Sequence, residues 1–425
     1  MKHDPAAGNA LWLICGRLAQ SGISLLVGIL TARYLGPSDY GLIHYAAGVT
    51  GFFAAFCTLG LPSILVRELI DCPHQEGSVL GTALTMQAVS SLCAAVMVLS
   101  AQWGQTEALH WVLGWSCTSM VLRCFDSIHL FFQARQRSRV TAVVLLAAHS
   151  AAMVYRAVLL VLGKSVVWFA FGAVLEGLCA GGLLLLSYRR ERGQRMSISR
   201  EMAGQLWNKS RHFILPGLMV AVYAQSDKIM LTKMLGQEAT GCYSAAISVC
   251  SGWCFVLSAI MDAMTPEIVG AYRRSSADFD RKNRQLYALV FWLSAAVAGI
   301  LTFAGKPLVA IVYGEAYGEA VEPLKILGWY TAFSYLGVAR NPWVVCREAQ
   351  KRLVWVYGAA AGANVVLNLL LIPRWGICGA AAASLTAQVL SAVAVPCLLP
   401  ELRENCHLML EGILLRNLKN REETP

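Results

Sequence analysis

Nine charged side chains fall inside stretches of sequence that are otherwise apolar: Arg17, Arg123, Arg156, Lys228 and Arg340, and the acids Asp126, Glu176, Asp227 and Asp262. An ion near the centre of a bilayer costs about 2.5–3.5 kcal/mol on insertion scales, so each should face a partner or a wet cavity. Arginine forks match the geometry of phosphate oxygens, and a low dielectric strengthens the pairing. Arg17, Arg123, Arg156 and Lys228 are therefore the candidate contacts of an anionic cargo. Glu176 has no local partner, and it joins Asp126 and Asp227 as a candidate for carrying a coupling proton or sodium ion.

Depth and spacing sort this set. At a rise of about 1.5 Å per residue, Arg123 lies roughly 15 Å and Arg17 roughly 10 Å from the inner ends of their helices. Arg123 and Asp126 are three apart on one helical face, where an ion pair forms readily. Asp227 beside Lys228 reads as a neutralised pair. Arg340 and Asp262 lie near the inner face, where a long basic side chain snorkels to the headgroups. Trp12, Tyr45, Trp329 and Tyr330 are aromatic candidates for stacking on sugar rings or for helix interfaces.

The elements that carry these residues follow from composition. The chain has 425 residues, 57% hydrophobic and only 14% charged, against about 25% charged for an ordinary soluble domain. Apolar runs of spanning length fall at 10–30, 41–61, 79–99, 109–132, 140–163, 166–188, 213–235, 241–264, 286–303, 324–345, 353–372 and 377–399. The expected fold is all-α and integral to a membrane, with about twelve transmembrane helices in two six-helix lobes. The lobes would cover 1–188 and 212–400, joined by a basic cytoplasmic linker at 189–211 and followed by a cytoplasmic tail at 401–425. The first run contains Arg17 and shows no small-residue cleavage site, so it reads as a retained span.

Alternate connections between these runs carry 24 and 6 of the 35 Lys and Arg residues. Such a split predicts cytoplasmic termini by the positive-inside rule. The formal charge of +10 is thereby a topology signal and not a nucleic-acid footprint. A repeat supports two lobes: Arg33, Leu35-Gly36, Gly41 and Ala46 recur as Lys233, Leu235-Gly236, Gly241 and Ala246, always 200 residues on. The implied symmetry axis runs along the membrane normal, as in parallel-repeat transporters. The 14 cysteines form no C-x-x-C pair and read as small hydrophobes, not disulfides or metal ligands. No phosphate-binding loop, H-E-x-x-H motif or clustered catalytic constellation is present, so neither ATP-driven pumping, resident metal or cofactor, nor enzymatic chemistry is expected. His129 and His149 read as packed or hydrogen-bonded residues.

Three stretches carry a family likeness. Ala32-Arg33-Tyr34-Leu35-Gly36-Pro37-Ser38-Asp39-Tyr40-Gly41 closely resembles the "aRyLGpxxyG" element of Wzx-type oligosaccharide flippases, polysaccharide-biosynthesis exporters of the MATE-like superfamily. Asp227-Lys228-Ile229-Met230-Leu231 through Gly241-Cys242-Tyr243-Ser244-Ala245-Ala246 resembles a second family element. Asn364-Val365-Val366-Leu367-Asn368, Ile372-Pro373, Gly376 and Gly379-Ala380-Ala381 resemble a third. The resemblance implies an inner-membrane protein that moves an undecaprenyl-diphosphate-linked oligosaccharide to the outer leaflet for O-antigen, capsule or exopolysaccharide assembly. It further implies alternating access, proton or sodium coupling, and polysaccharide polymerase or ligase machinery as possible partners beside the membrane lipids. Of the charged residues singled out, only Arg33, Asp227 and Lys228 fall within matched motifs. The alternative is a multidrug or cation antiporter of the same superfamily, whose cargo favours an acidic cavity.

Overall fold

The computed structural model describes residues 5–101 and 106–416, with side chains from Gly22 onward except at position 138. Arg17 and Trp12, named above for cargo contacts, thus have side chains outside the described residues. All regular structure among the described residues is helical. The helices are α1 (Pro5–Thr58), α2 (Pro62–Asp71), α3 (Glu76–Ala101), α4 (Glu107–Leu122), α5 (Ser127–Ala134), α6 (Ser138–Leu162), α7 (Val166–Arg190) and α8 (Arg200–Leu235). They continue with α9 (Gln237–Ser251), α10 (Phe255–Tyr272), α11 (Ser276–Val312), α12 (Val321–Ala339), α13 (Asn341–Cys346), α14 (Leu353–Val389), α15 (Val395–Leu398) and α16 (Pro400–Ile413).

Among the described residues, six helical stretches are long and apolar enough to cross a bilayer, or seven when α9 and α10, bent by 41°, count as one. Twelve apolar runs become fewer candidates for local reasons. Gly22–Asp71 and Gln350–Leu398 each hold two runs in one stretch, folded at Gly36 and Gly376, where the backbone leaves the helical region. The 109–132 run is interrupted by a 3₁₀ turn at Arg123–Asp126. The run at 324–345 is split between α12 and α13. The 213–235 run lies in α8, whose interior carries Gln225, Ser226, Asp227 and Lys228.

The repeat is visible in the backbone. Gly36 has φ 73° and ψ 171°, and Gly236 has φ 98° and ψ 179°. A positive φ with ψ near 180° is open to glycine and almost no other residue, so both copies turn the chain with the same rare conformation. Pro37 then opens a helical segment whose first amide would be unpaired anyway.

The chain divides into two compact units, Leu30–Ile229 and Met1–Ile29 with Met230–Pro425. Both boundaries fall inside helices, again 200 residues apart. The core of the first unit includes Leu65, Leu80, Ile128, Phe131, Phe132 and Leu206, with a second cluster around Tyr45, Val112, Leu113 and Cys117. The core of the other gathers Leu257, Ile268, Leu286, Tyr287, Trp343 and Leu402.

Two expectations are corrected here. Arg340 does not snorkel: it is 1% exposed and donates through Nη1 to Ser391 O at 3.1 Å. Ser391 lies in a π-helical turn, Leu390–Ala394, and such a turn displaces the backbone ladder enough to spare a carbonyl for a side-chain donor. Arg340→Ala is expected to cost about 3 kcal/mol, from a cavity and an unpaired carbonyl. Thermal unfolding in detergent checks this; an unchanged midpoint would show that the buried arginine contributes nothing. The second correction concerns cysteine. Cys397 and Cys406, nine positions apart, are joined by a disulfide, whereas eleven other described cysteines remain thiols.

Candidate functional site

Lys228 reaches its place because glycines let two helices approach closely. A Cβ added at Gly48 would stand 3.3 Å from Lys228 Cβ, and one at Gly51 would stand 3.1 Å from Gln225 Cδ. Gly217 faces Ala55 in the same way. The second half of α1 therefore runs antiparallel to α8, with small residues at the seam. His44 sits one turn before Gly48 on that face, edge-on to Tyr40 at 4.4 Å between ring centroids. Lys228 and Arg156 are the cations that act on His44.

Arg156 arrives from α6 and lies over Gly172 of α7, where an added Cβ would be 3.1 Å from its Nε. One turn further along α7, Glu176 is the carboxylate that acts on Arg156, together with the Tyr40 hydroxyl. Glu176 is not alone, as its sequence neighbourhood implied. His149 on α6 meets it, Nδ1 to Oε1 at 3.0 Å. The pairs His149–Glu176 and Tyr155–Trp168, the latter with Tyr155 O–H donating to Trp168 O at 3.2 Å, zip α6 and α7 together in antiparallel register.

The remaining candidates extend this line. Arg123 and Asp126 face each other across the 3₁₀ turn at 4.0 Å and are 69% and 52% exposed at their side chains, so the ion pair is loose. A 3₁₀ turn brings residues three apart into eclipse, which places both ends of the pair on one edge. Arg123 and Asp126 both act electrostatically with Glu176. Asp227 is 5% exposed, whereas its neighbour Lys228 is half-buried, since consecutive helical residues point about 100° apart. Lys228 Nζ also donates to Gln225 Oε1 at 3.5 Å.

One unit thus holds a polar strip with two ends. His44, Tyr40, Arg156 and Lys228 form a cationic end, and Glu176, His149, Arg123 and Asp126 a mixed end. Leaving the imidazoles aside, the three cations are matched by Asp126, Glu176 and Asp227, so the positive bias is local to one end. His44, Tyr40, His149 and Gln225 are functional candidates that charge and depth alone passed over. The signal for two of them was spacing: Tyr40, His44 and Gly48 stand one turn apart on the helix that opens at Pro37. Asp262 lies elsewhere, in the other unit. With Ser258 and Thr265 on its own face of α10 it borders a half-open cavity of about 370 Å³ lined also by Leu286, Val338 and Pro342.

The fold is that of known transporters. A multidrug resistance MATE family transporter of the MOP superfamily in its inward-facing conformation superposes with a TM-score of 0.71 at 13% identity, covering 92% of this chain and 95% of its own. The lipid II flippase MurJ, inward closed, gives a TM-score of 0.71 at 10% identity over 97% and 94% of the two chains. The MATE multidrug transporter DinF-BH gives 0.64 at 16% over 94% and 95%. No curated protein sequence matches the chain. The family model described as polysaccharide biosynthesis protein matches residues 6–269. With more than half of its length aligned to that model and its helices arranged as in MOP-superfamily transporters, the chain belongs to the polysaccharide biosynthesis protein family.

Proposed function

We propose that the protein is an inner-membrane flippase that carries an undecaprenyl-diphosphate-linked oligosaccharide from the cytoplasmic to the outer leaflet, for O-antigen, capsule or exopolysaccharide assembly. One observation carries this reading: Lys228, packed against Gly48 one turn from His44, and Arg156, lying over Gly172, are distant in sequence yet both within electrostatic reach of His44 at one end of a polar strip. A diphosphate headgroup needs cationic and hydrogen-bonding partners in a place of low dielectric, and this end supplies both. In this reading twelve spans in two lobes, 1–188 and 212–400, alternate access with both termini cytoplasmic. Arg123 adds a cationic contact, while Glu176, Asp126 and Asp227 are the sites at which a proton or sodium gradient couples to the cycle.

The mixed end, with Glu176 and Asp126, favours a second reading as a cation antiporter. Arg156 and Lys228 weigh against it, because they repel a cationic drug. The test is surface polysaccharide in a flippase-deficient strain complemented with Lys228→Ala or Lys228→Arg at matched membrane abundance. Lys228→Ala is expected to reduce export by roughly tenfold or more, since truncating one side of a desolvated charge pair is costly, and Lys228→Arg to restore it. Full export by Lys228→Ala would remove the cationic end from the mechanism. Drug tolerance conferred by the wild type without polysaccharide export would favour the antiporter.

A further inference from the structure

The segment between α7 and α8 is wired onto the start of α3. Glu76, buried in the first turn of α3, accepts the Gln194 N–H at 3.0 Å and the Arg135 guanidinium at 2.7 Å. The Gln194 side chain answers by accepting the Gly77 N–H at 3.3 Å and donating to Pro73 O at 3.1 Å. Tyr188 O–H donates to Gln194 O at 2.8 Å, the Ser197 N–H to Gly77 O at 3.1 Å, and the Ser199 N–H to Thr82 Oγ1 at 3.1 Å. The contact is so close that a Cβ at Gly77 would lie 2.4 Å from Arg195 O, and one at Gly81 2.5 Å from Ser197 O. Residues 193–199 therefore form a strap laid along a glycine groove, and α8 starts directly from its end.

Arginines lie within the strap and to both sides of it in the chain. Arg189, Arg190, Arg192, Arg195 and Arg200 are all exposed, against the single intervening acid Glu191. Glu191 is itself paired with Arg137. Ile198, 69% exposed, stands between Arg195 and Arg200, and Trp207, 42% exposed, follows on α8. Apolar and indole side chains amid arginines are the composition of a surface that rests at the headgroup level of a bilayer. The positive-inside rule asks only that basic residues be present in such a connection. It does not ask for a hydrogen-bonded shape, and a mobile loop would serve it equally.

We infer that the strap is a preassembled binding surface for phosphate-bearing lipid headgroups at the cytoplasmic leaflet, with Arg195 and Arg200 at its centre and Ile198 entering the interface. The inference rests on the reading of the chain as membrane-spanning, but not on which cargo it carries. Rigid presentation lowers the ordering cost of gathering several guanidinium groups on one headgroup, and each basic residue near an anionic surface adds to the attraction.

The test uses the full chain in nanodiscs of phosphatidylcholine alone or mixed with phosphatidylglycerol, read by hydrogen exchange of 189–200. In the wild type phosphatidylglycerol is expected to protect this segment. Arg195→Gln with Arg200→Gln should weaken the apparent affinity roughly 30-fold. Gln194→Ala keeps every arginine but unpicks the strap, and should lose most of the protection difference; Gly81→Ala serves the same purpose should Gln194→Ala fail to fold. Undecaprenyl diphosphate added to phosphatidylcholine nanodiscs distinguishes the sources: protection there identifies a cargo site, and protection by phosphatidylglycerol a bulk-lipid site. No protection by either lipid, or wild-type affinity in the strap variants, overturns the inference. A chain that fails to enter nanodiscs at all counts against the membrane reading instead.

Discussion

Arg156→Ala is expected to abolish export, with surface polysaccharide falling roughly 100-fold or more, while Arg156→Lys retains a measurable part. The side chain lies in a half-buried position over Gly172 and forms the cationic end of the strip together with Lys228. Removing it leaves His44 and Lys228 to meet the proposed diphosphate without a fork, and the loss of a desolvated charge partner runs to about 2–5 kcal/mol. It also leaves Glu176 with His149 as its remaining close partner, so the mixed end becomes more acidic. Lysine replaces the charge but not the bidentate geometry, which is why recovery should be partial. Gly172→Ala supplies an independent check, because its methyl would press the guanidinium from 3.1 Å without touching any charge; its export should fall between wild type and Arg156→Ala. Surface polysaccharide per unit of membrane-inserted protein is the measurement. Wild-type export by both variants would show that Arg156 is a helix-packing residue.

Among the described glycines, Gly379→Ala is expected to be one of the most damaging single-methyl additions. A Cβ there would lie 2.3 Å from Leu371 O, 2.5 Å from Leu371 C and 2.9 Å from Ile372 N. All three are backbone atoms, so no rotamer change relieves the overlap. The chain reverses between Pro373 and Gly376, whose φ is 57° and ψ −134°, and the two halves of α14 meet closely at Gly379. Overpacking in a tight core costs about 1–3 kcal/mol and more where backbone must move; the upper end applies here. Gly362→Ala in the same helix meets nothing within 4 Å and is exposed. It should be neutral or stabilising by about 0.5–1 kcal/mol, from the lower entropy of the unfolded chain. Thermal unfolding of the purified pair separates the two effects, and equal midpoints would contradict the closeness of that reversal.

These glycines bear on what the family motifs encode. Gly36, Gly236, Gly376 and Gly379 all belong to the matched stretches, and every one of them turns the chain or lets two backbones meet. Asn364 and Asn368 are fully buried and bonded to each other at 3.1 Å. The motifs therefore mark architecture. Lys228, in the cationic end, belongs to a motif as well, but Arg156, Glu176 and His149 do not.

Much of the molecule was legible without coordinates. Apolarity, span-length runs and the turn residues between them act over a few neighbouring positions, so helix content and the repeat at a spacing of 200 residues could be read directly. The charged candidates were legible for the same reason, since a charge in an apolar run stands out locally. Which partner each charge meets was not. Glu176 reads as solitary because His149 is 27 positions away, and Arg340 reads as a snorkelling residue because its acceptor at Ser391 belongs to a π turn 51 positions on. The 189–211 segment has the composition of a simple basic linker, yet it comprises the end of α7, the strap on α3 and the beginning of α8.

The sequence by itself determined that this protein is built of apolar helices carrying a small number of expensive charges, because hydrophobicity and backbone preference are properties of each residue and its near neighbours. Only the tertiary structure decided that Arg156 and Lys228 share His44, that His149 answers Glu176, and that a glycine groove holds the strap. Those outcomes depend on which helix faces meet and how closely. Closeness is set by small residues that admit partners far away in the chain, such as Gly48 against Lys228 and Gly81 against Ser197, and no local pattern records the pairing.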